Sequence, residues 1–122
     1  MIASRKYTRT ALERALAYLN AGWVKGHFKH KNKEGKIRFC LVGSINETSI
    51  NGARDEAINA LYEALPVEYQ NAVSPRRDWE DEEQYLQRIL DRKRWAIMTF
   101  NDNRRTRKAD VMKVAQKAIT SV

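Results

Sequence analysis

The stretch that decides the fold is residues 23–45, WVKGHFKHKNKEGKIRFCLVGSI. Two runs with aromatic and β-branched residues, 24–29 and 36–42, flank the polar segment HKNKEG. This order predicts a β-hairpin, because such runs bounded by Asn and Gly are typical of paired strands. The second run is apolar on both faces near its end and stops at Gly43, so we expect that end to be buried. The letters CLVGSI could instead open a helix.

An amphipathic helix is predicted on the N-terminal side of the hairpin. Thr10 and Glu13 have capping-box spacing, and apolar side chains then recur on one helical face. Gly22 is expected to end this helix, because glycine tolerates the left-handed conformation found there. The segment before it, residues 1–9, is expected to be a flexible basic N-terminus, and residues 46–52 have the composition of a loop.

Three further helices are predicted after the hairpin. Residues 53–65 carry a second apolar face. Ser74–Pro75 signals the next helix start, and the acidic segment 78–83 suits the positive end of that helix. Residues 100–105 are then expected to form a polar turn, and Thr106 to cap the last helix.

These elements predict one core. The sequence therefore indicates an α+β fold: a small single domain over residues 1–122, with about four helices and one β-hairpin. The side chains expected in the core are those of Leu12, Leu16, Leu19, Trp23, Phe39, Leu41, Ile58, Leu61, Leu86, Ile89, Ile97, Phe100, Val111 and Val114.

Composition excludes several protein classes. Hydrophobic residues make up 43% of the chain and charged residues 31%, and the longest apolar run is far below the ~20 residues of a membrane span. The first twenty residues lack the pattern of a secretory signal. Cys40 is the single cysteine, so no internal disulfide is possible, and with two histidines a structural zinc site of the usual kind is excluded. We expect a protein of the bacterial host's cytoplasm, without membrane, metal or cofactor.

The net charge of +8 is unevenly distributed. Residues 1–45 carry ten Lys or Arg and two Glu, and residues 92–122 carry nine Lys or Arg and two Asp. Residues 46–91 between them carry four Arg and eleven acids. Either the basic and acidic segments neutralise each other in the fold, or the basic ends converge and bind a polyanion.

The first candidate site is the start of the last helix. Cations crowd the end at which the helix dipole disfavours them, while free backbone amides there can bind an anion. A bound phosphate would resolve this mismatch; long solvated side chains neutralised by nearby aspartates are the alternative. The predicted phosphate-binding residues are Arg104, Arg105, Thr106, Arg107 and Lys108.

The second candidate site is a basic patch on the hairpin. Cations interleaved with aromatic residues suit single-stranded nucleic acid, although strand alternation would turn Phe28 into the core, and lysine-rich hairpins also protect sheet edges. The residues of this secondary patch are Lys25, His27, Lys29, Lys31, Lys33, Lys36 and Arg38.

Catalysis has weaker support in the sequence. Cys40, His27 and Asp102 are the residue types of a thiol nucleophile, its base and an orienting acid, but nothing in their spacing supports such a site. Cys40 lies in an apolar run and is expected to be a small buried residue. No phosphate-cradling glycine loop, metal motif or nucleophile elbow is present, so we expect no catalytic residue and no enzyme.

Residues 23–45 and 97–119 resemble a family of small uncharacterised proteins of actinobacteria and bacteriophages. The family pattern is an N-terminal helix, a W…G…G…C…GA core, an alanine-rich helix and a closing W-N-D…R-T…V. The matching residues here are Trp23, Gly26, Gly35, Cys40 and Gly43, followed by Phe100, Asn101, Asp102, Arg105, Thr106 and Val111.

The resemblance covers both ends of the chain and helix 53–65. It leaves residues 66–95 as an extra helical segment, and it has Phe100 in place of Trp and Ser44 in place of Ala. It implies a common fold and a bacterial or phage source, but no activity. Asn101 and Asp102 either close a turn through local hydrogen bonds or contact a ligand.

Together these observations predict a small non-enzymatic protein that binds a phosphate-rich ligand, either nucleic acid or a nucleotide. Sequestration of a host signalling nucleotide is one version of this role. The first alternative is a protein-interaction module, such as a phage inhibitor of a host defence complex, that docks through its acidic segment on a basic partner. A Cys40-dependent hydrolase is the second. The acidic residues of that segment are Asp78, Glu80, Asp81, Glu82 and Glu83.

Overall fold

The structure, a computed structural model, describes residues 5–49, 52–70 and 74–122. Within these ranges the chain forms five α-helices, a two-stranded antiparallel hairpin and one 3₁₀ turn, so the α+β class is confirmed with one helix more than predicted. The elements are α1 (Arg5–Ala21), β1 (Lys29–Lys31), β2 (Ile37–Phe39), α2 (Leu41–Thr48), α3 (Ala53–Ala64), the 3₁₀ turn (Val67–Tyr69), α4 (Glu82–Asp102) and α5 (Lys108–Thr120).

Helix α1 begins at Arg5, before the predicted start at Thr10. Thr8 is buried and extends the apolar stripe of the helix by one turn, which explains the earlier start. The Thr10 hydroxyl donates a hydrogen bond to a carbonyl one turn earlier, at 2.9 Å, and therefore caps nothing. The prediction of a flexible segment 1–9 is wrong from Arg5 onward, and residues 1–4 lie outside the described residues.

Gly22 follows α1 as predicted, but its φ is not positive, so the expected left-handed conformation is wrong. A Cβ on Gly22 would lie 2.9 Å from Cγ of Arg38 and 3.1 Å from the carbonyl oxygen of Ile37. Strand β2 therefore passes directly against this glycine. The Phe39 amide donates to the Gly22 carbonyl at 2.9 Å, which attaches the hairpin to the end of α1.

The hairpin is shorter than the predicted runs. Lys29 pairs with Phe39, and Lys31 with Ile37, so that each strand has three residues. The side-chain oxygen of Asn32 accepts two backbone amides of the connecting turn, at 3.0 and 2.9 Å. This Asx geometry closes the loop between the strands.

The segment before β1 is not a strand, and the predicted alternation fails there. Phe28, expected in the core, has a side chain that is 50% exposed, whereas Phe39 on β2 is buried. The segment pairs with β2 at its start, where the Val24 amide donates to the Phe39 carbonyl at 3.1 Å, and then bends away, since the Gly26 amide donates to Asp102 of α4.

The run 36–42 changes from strand to helix at Cys40, which is the alternative that the sequence left open. Cys40 is the N-cap residue of α2, and its Sγ accepts the Gly43 amide at 3.3 Å. Because α2 continues to Thr48, the loop predicted for residues 46–52 is wrong over its first half. Residues 50 and 51 lie outside the described part of the chain.

Helix α3 confirms the predicted helix 53–65 to within one residue. The start predicted at Ser74–Pro75 is wrong, because α4 begins only at Glu82. The true start is a capping box: the Asp81 carboxylate accepts the Gln84 amide, and the Gln84 side chain accepts the Asp81 amide. Two carboxylates follow in the first turn, where the helix dipole favours them.

The polar turn predicted at 100–105 is wrong over its first three residues, because α4 continues to Asp102. The N-cap residue of α5 is Arg107, not Thr106. The Asp110 carboxylate accepts the Arg107 amide at 2.8 Å and so replaces the expected threonine cap. Thr106 is buried instead.

The core lies between α1 and the helices that pack on it, α2, α3 and α5, with α4 closing the side formed by α3. Most predicted core residues are buried, and Leu16 and Trp23 are partly buried against them. Leu86 and Ile89 were wrongly predicted in the core: Leu86 is 56% exposed, and Ile89 is partly exposed and outside the core cluster. In the described part of the chain, no helix combines the length and apolarity needed to cross a membrane.

Candidate functional site

Asn101 is a fully buried polar residue in the last turn of α4. Its Oδ1 accepts the Trp23 indole N–H at 2.7 Å and the Leu41 amide at 3.1 Å. Its Nδ2 donates to the Val24 carbonyl at 3.1 Å and to the Asp102 carboxylate at 2.9 Å. Asn101 therefore links three segments that are distant in sequence, and neither the turn nor the ligand contact suggested for it is its observed role.

The segment that leads into the hairpin is fixed to the end of α4. The Asp102 carboxylate accepts the Gly26 amide at 2.9 Å. The Lys25 ammonium group donates to the Asn103 carbonyl at 2.6 Å and lies 5.5 Å from the centre of the Trp23 ring. A cation at the carbonyl end of α4 is also favoured by the helix dipole. The two basic segments predicted from opposite ends of the chain are therefore in direct contact, and we call residues 25–38 with 103–107 the basic junction.

Gly43 fixes the position of the same segment from the other side. A Cβ at Gly43 would lie 1.8 Å from the carbonyl oxygen of Phe28, so only glycine fits. The Cys40 amide donates to that carbonyl at 3.2 Å. Because backbone packs directly on backbone here, the Phe28 ring is held outward on the surface of the junction.

The predicted phosphate-binding residues separate into two groups. The side chains of Arg104, Arg105 and Arg107 are exposed, and no ion pair among the described residues involves them. Thr106 is buried, so its side chain does not lie on the surface with the arginines. The Lys108 ammonium group donates to the Asn20 carbonyl at the end of α1, at 2.6 Å.

The dipole mismatch that suggested a phosphate is compensated within the chain. Arg104 and Arg105 come directly after the C-terminal end of α4, where the dipole favours cations. Asp110 supplies a carboxylate to the first turn of α5. What remains in support of an anion site is the exposure of the guanidinium groups and the contact of their loop with Lys25, through the Asn103 carbonyl.

The secondary basic patch is largely exposed. Lys29 contacts the Glu47 carboxylate at 3.5 Å, with both side chains about half exposed. The imidazole rings of His27 and His30 lie 5.3 Å apart between centroids. The remaining cations are exposed, without an ion pair to any residue the structure describes: Lys31, Lys33, Lys36 and Arg38.

A cavity of about 380 Å³ brings Cys40, His27 and Asp102 together, although their spacing in the sequence gave no reason to expect it. Burial raises the pKa of the Cys40 thiol, and the Asp102 charge adds to this against the lowering effect of the Gly43 amide. The thiol is therefore protonated near neutral pH. The Asp102 carboxylate accepts hydrogen bonds from Gly26 and Asn101, both at Oδ1, and no hydrogen bond joins it to His27 among the described residues. Cys40 is confirmed as a buried residue.

The acidic segment is only partly available for docking. The Arg88 guanidinium donates to both Glu80 oxygens at 2.8 Å, and the Arg77 amide also donates to Glu80 at 2.8 Å. The hydrogen bonds from Arg88, followed by that from Arg77, lower the pKa of Glu80 to about 2. Arg88 also donates to the Pro75 carbonyl at 3.0 Å. Glu80 is thus a buried anchor of residues 74–81, which we call the strap.

A groove of about 750 Å³ lies between the strap and α4, and the sequence analysis missed it. Trp79 on the strap and Trp95 on α4 line it, with side chains 69% and 55% exposed. Trp79 within the acidic segment DWEDEE could have indicated it. A large apolar residue among acids is not part of an apolar helix face, so it is expected to be exposed and to mark a binding surface. Among the described residues, no group of three His, Cys, Asp or Glu is placed to hold a metal ion.

Neither the curated proteins nor the solved structures contain a match to the chain. The model of a family of unknown function, DUF6197, matches residues 4–121. This match spans residues 66–95 as well, which the resemblance in the sequence had left uncovered. Over almost its whole length, therefore, the chain belongs to DUF6197, a family of unknown function.

Proposed function

We propose that the chain is a non-enzymatic binding protein whose basic junction takes a phosphate-rich ligand, with single-stranded nucleic acid as the first candidate. The observation that carries this proposal is the contact between the hairpin base and the loop after α4. Lys25 reaches the Asn103 carbonyl at 2.6 Å, and Gly26 reaches the Asp102 carboxylate at 2.9 Å. This contact supports the proposal because one extended ligand could then meet cations from residues 1–45 and from residues 92–122.

The charges of the junction are available to such a ligand. Arg104, Arg105 and Arg107 are exposed, and a guanidinium group can grip two phosphate oxygens at once. The junction itself holds nine Lys or Arg and one acid, Glu34, while Asp102 and Asp110 beside it accept backbone amides. A polyanion bound here would release counterions in proportion to the phosphates it neutralises.

Phe28 favours a single strand over a duplex. Its ring is half exposed, and it stands between His27 and Lys29 on a backbone held by α2. Unpaired bases stack on exposed aromatic rings, a contact worth about 1–3 kcal/mol per base, and this needs no particular base sequence. Bases within a duplex are stacked on each other and cannot use this ring.

A small nucleotide, including a host signalling nucleotide, is the narrower version of the same proposal. The cations of the junction are spread over an open surface, whereas small ligands are usually enclosed by concave sites. We therefore rank an extended polyanion first. The family resemblance adds a phage or bacterial source, which stays a prediction, as does the role of inhibitor of a host defence complex.

The test is a titration of fluorescently labelled single strands, duplexes and a panel of mono- and cyclic nucleotides at two salt concentrations. We expect single strands to bind best, with log–log salt slopes of about −0.7 to −0.9 per phosphate neutralised. The double variant Arg105→Glu with Arg107→Glu should weaken this binding steeply, and Phe28→Ala should weaken single strands more than duplexes.

The matched control is Lys113→Glu with Lys117→Glu. It makes the same change in net charge on exposed positions of α5 outside the basic junction. Equal losses in the two double variants would mean that only overall charge attracts the ligand. If the unmodified protein binds nothing below millimolar concentration, the proposal fails.

A further inference from the structure

The groove between the strap and α4 has features that the basic junction does not use. Trp79 and Trp95 both expose more than half of their side chains. They line the groove together with one face of α4 that includes Gln84 and Arg88. The eleven steps from Gln84 to Trp95 span roughly 16 Å at the rise of an α-helix, the length of three helical turns. Exposed tryptophans in such a groove are typical of protein interfaces, in which Trp is among the residues that contribute most to binding.

The charge of the groove is negative on a chain that is positive overall. The carboxylates of Asp81, Glu83 and Asp91 line it, and of these Asp91 has the Arg94 guanidinium 3.9 Å away. Its two cations are unequal, because Arg88 is neutralised by the buried Glu80 and only Arg92 is outside an ion pair among the described residues. The local excess of carboxylates beside indole rings suits a cationic side chain, which is attracted by carboxylates and by the face of an aromatic ring.

Trp79 already shows this preference within the chain. The guanidinium carbon of Arg77 lies 5.6 Å from the centre of the Trp79 ring. The wall that carries this tryptophan is fixed in advance, because Arg88 joins the strap to α4 through the Glu80 carboxylate and through the carbonyls of Ser74 and Pro75. A partner therefore pays little entropy for ordering the groove.

We propose that this groove docks a cationic segment of a partner protein, one that carries Arg or Lys side chains beside an apolar side chain. A second copy of this chain is the other basic candidate. In that case the hairpin of one copy would enter the groove of the next copy, head to tail. Head-to-tail contacts build open-ended filaments unless the copies are related by a rotation that closes a ring. Two copies that each carry a net charge of +8 also repel one another.

The test uses three labelled peptides in anisotropy titrations with the full chain. The first alternates Arg and Leu over about eleven residues, three helical turns. The second replaces every Arg with Glu, and the third copies residues 28–39 of this chain. We expect the Arg–Leu peptide to bind, and Trp79→Ala with Trp95→Ala to weaken it at least about tenfold, as loss of central aromatic contacts does. Glu83→Lys with Asp91→Lys should weaken it comparably.

Controls separate the groove from the rest of the surface. Phe28→Ala with Val67→Ala removes two exposed apolar side chains outside the groove and should leave the peptide affinity unchanged. Arg105→Glu with Arg107→Glu should also leave it unchanged, which keeps this proposal distinct from the one for the basic junction. Circular dichroism checks that each variant is folded.

Three outcomes overturn the proposal. The Arg–Leu peptide binds the tryptophan double variant as tightly as the unmodified protein, or the Glu–Leu peptide binds as well as the Arg–Leu peptide. In the third, only the peptide of residues 28–39 binds and sedimentation shows that the chain self-associates, which makes the occupant a second copy.

Discussion

The two ends of α4 differ in what surrounds them. At its C-terminal end, Ile97, Phe100 and Asn101 are buried where α4 packs on α2 and α3. At its N-terminal end, Leu86 and much of the first turns face outward, and the strap is attached to them through Arg88. One helix therefore serves both as a core element and as an exposed surface. The comparison shows that an amphipathic pattern predicts a helix better than it predicts what covers that helix.

Each end of α4 also has one buried polar interaction, and the two interactions have different roles. Asn101 is neutral and satisfies backbone and indole groups of two distant segments, at Trp23–Val24 and at Leu41. Glu80 and Arg88 form an ion pair that ties a local segment to its own helix. The first holds distant parts of the fold together, whereas the second shapes a surface. Removing each in turn tests whether the two ends are as independent as this contrast implies.

The largest effect is expected at the C-terminal end. Asn101→Leu would leave the Trp23 indole, the Leu41 amide and the Val24 carbonyl without their partner. Because each buried unsatisfied group costs about 1–3 kcal/mol, we expect a loss of about 3–5 kcal/mol in the free energy of unfolding. Urea denaturation measures it, with Gln87→Leu on the exposed part of α4 as the control. A loss below ~1 kcal/mol would show that water or rearranged partners replace Asn101.

The second prediction compares two leucines. Leu61→Ala in α3 removes a fully buried side chain and should cost about 2–5 kcal/mol through lost contacts and a cavity. Leu86→Ala in the exposed part of α4 should change the free energy of unfolding by less than ~0.5 kcal/mol. Both are measured by urea denaturation. Equal losses would mean that the N-terminal end of α4 is covered in solution, for example by another chain.

The smallest effect is expected in how the stability contributed by the Glu80–Arg88 ion pair of the strap depends on pH. The pKa of Glu80 is about 2 in the folded chain, below its ordinary value of 4.5, mainly because Arg88 donates to the carboxylate. A lowered pKa means that the ion pair stabilises the fold fully above that ordinary value and loses its effect as the pH falls toward 2. The stability difference between the unmodified protein and Glu80→Gln should therefore shrink as the pH is lowered. A difference that stays constant over this range would contradict the ion pair.

The family pattern in the sequence indicated the right residues for the wrong reasons. Trp23, Asn101 and Asp102 belong to that pattern, which left Asn101 and Asp102 either to close a turn or to contact a ligand. In the structure both are helical, and the motif is one hydrogen-bonded cluster joined across more than seventy residues. Local side-chain chemistry predicts caps and turns, but it does not predict which distant amides an Asn will reach.

The candidate site was predictable in its charges but not in its assembly. The exposed arginines after α4 and the lysines of the hairpin follow directly from the basic ends of the chain. Their contact through Lys25 and Asn103 depends on where α4 ends, and the predicted turn placed that end too early. The prediction that Thr106 caps the last helix was wrong for the same reason, since the longer α4 shifts the start of α5 to Lys108.

The sequence by itself determined the α+β class, the hairpin, helix α3 and most of the buried apolar side chains, because period and turn chemistry are local properties. Tertiary structure decided the rest. It changed the end of a predicted strand into α2, since Cys40 can cap a helix only where the Phe28 backbone packs against Gly43. It also left Phe28, Leu86 and two tryptophans exposed. Whether a side chain is buried depends on which residues pack against it, and residues that are distant in sequence cannot be identified from the local sequence pattern.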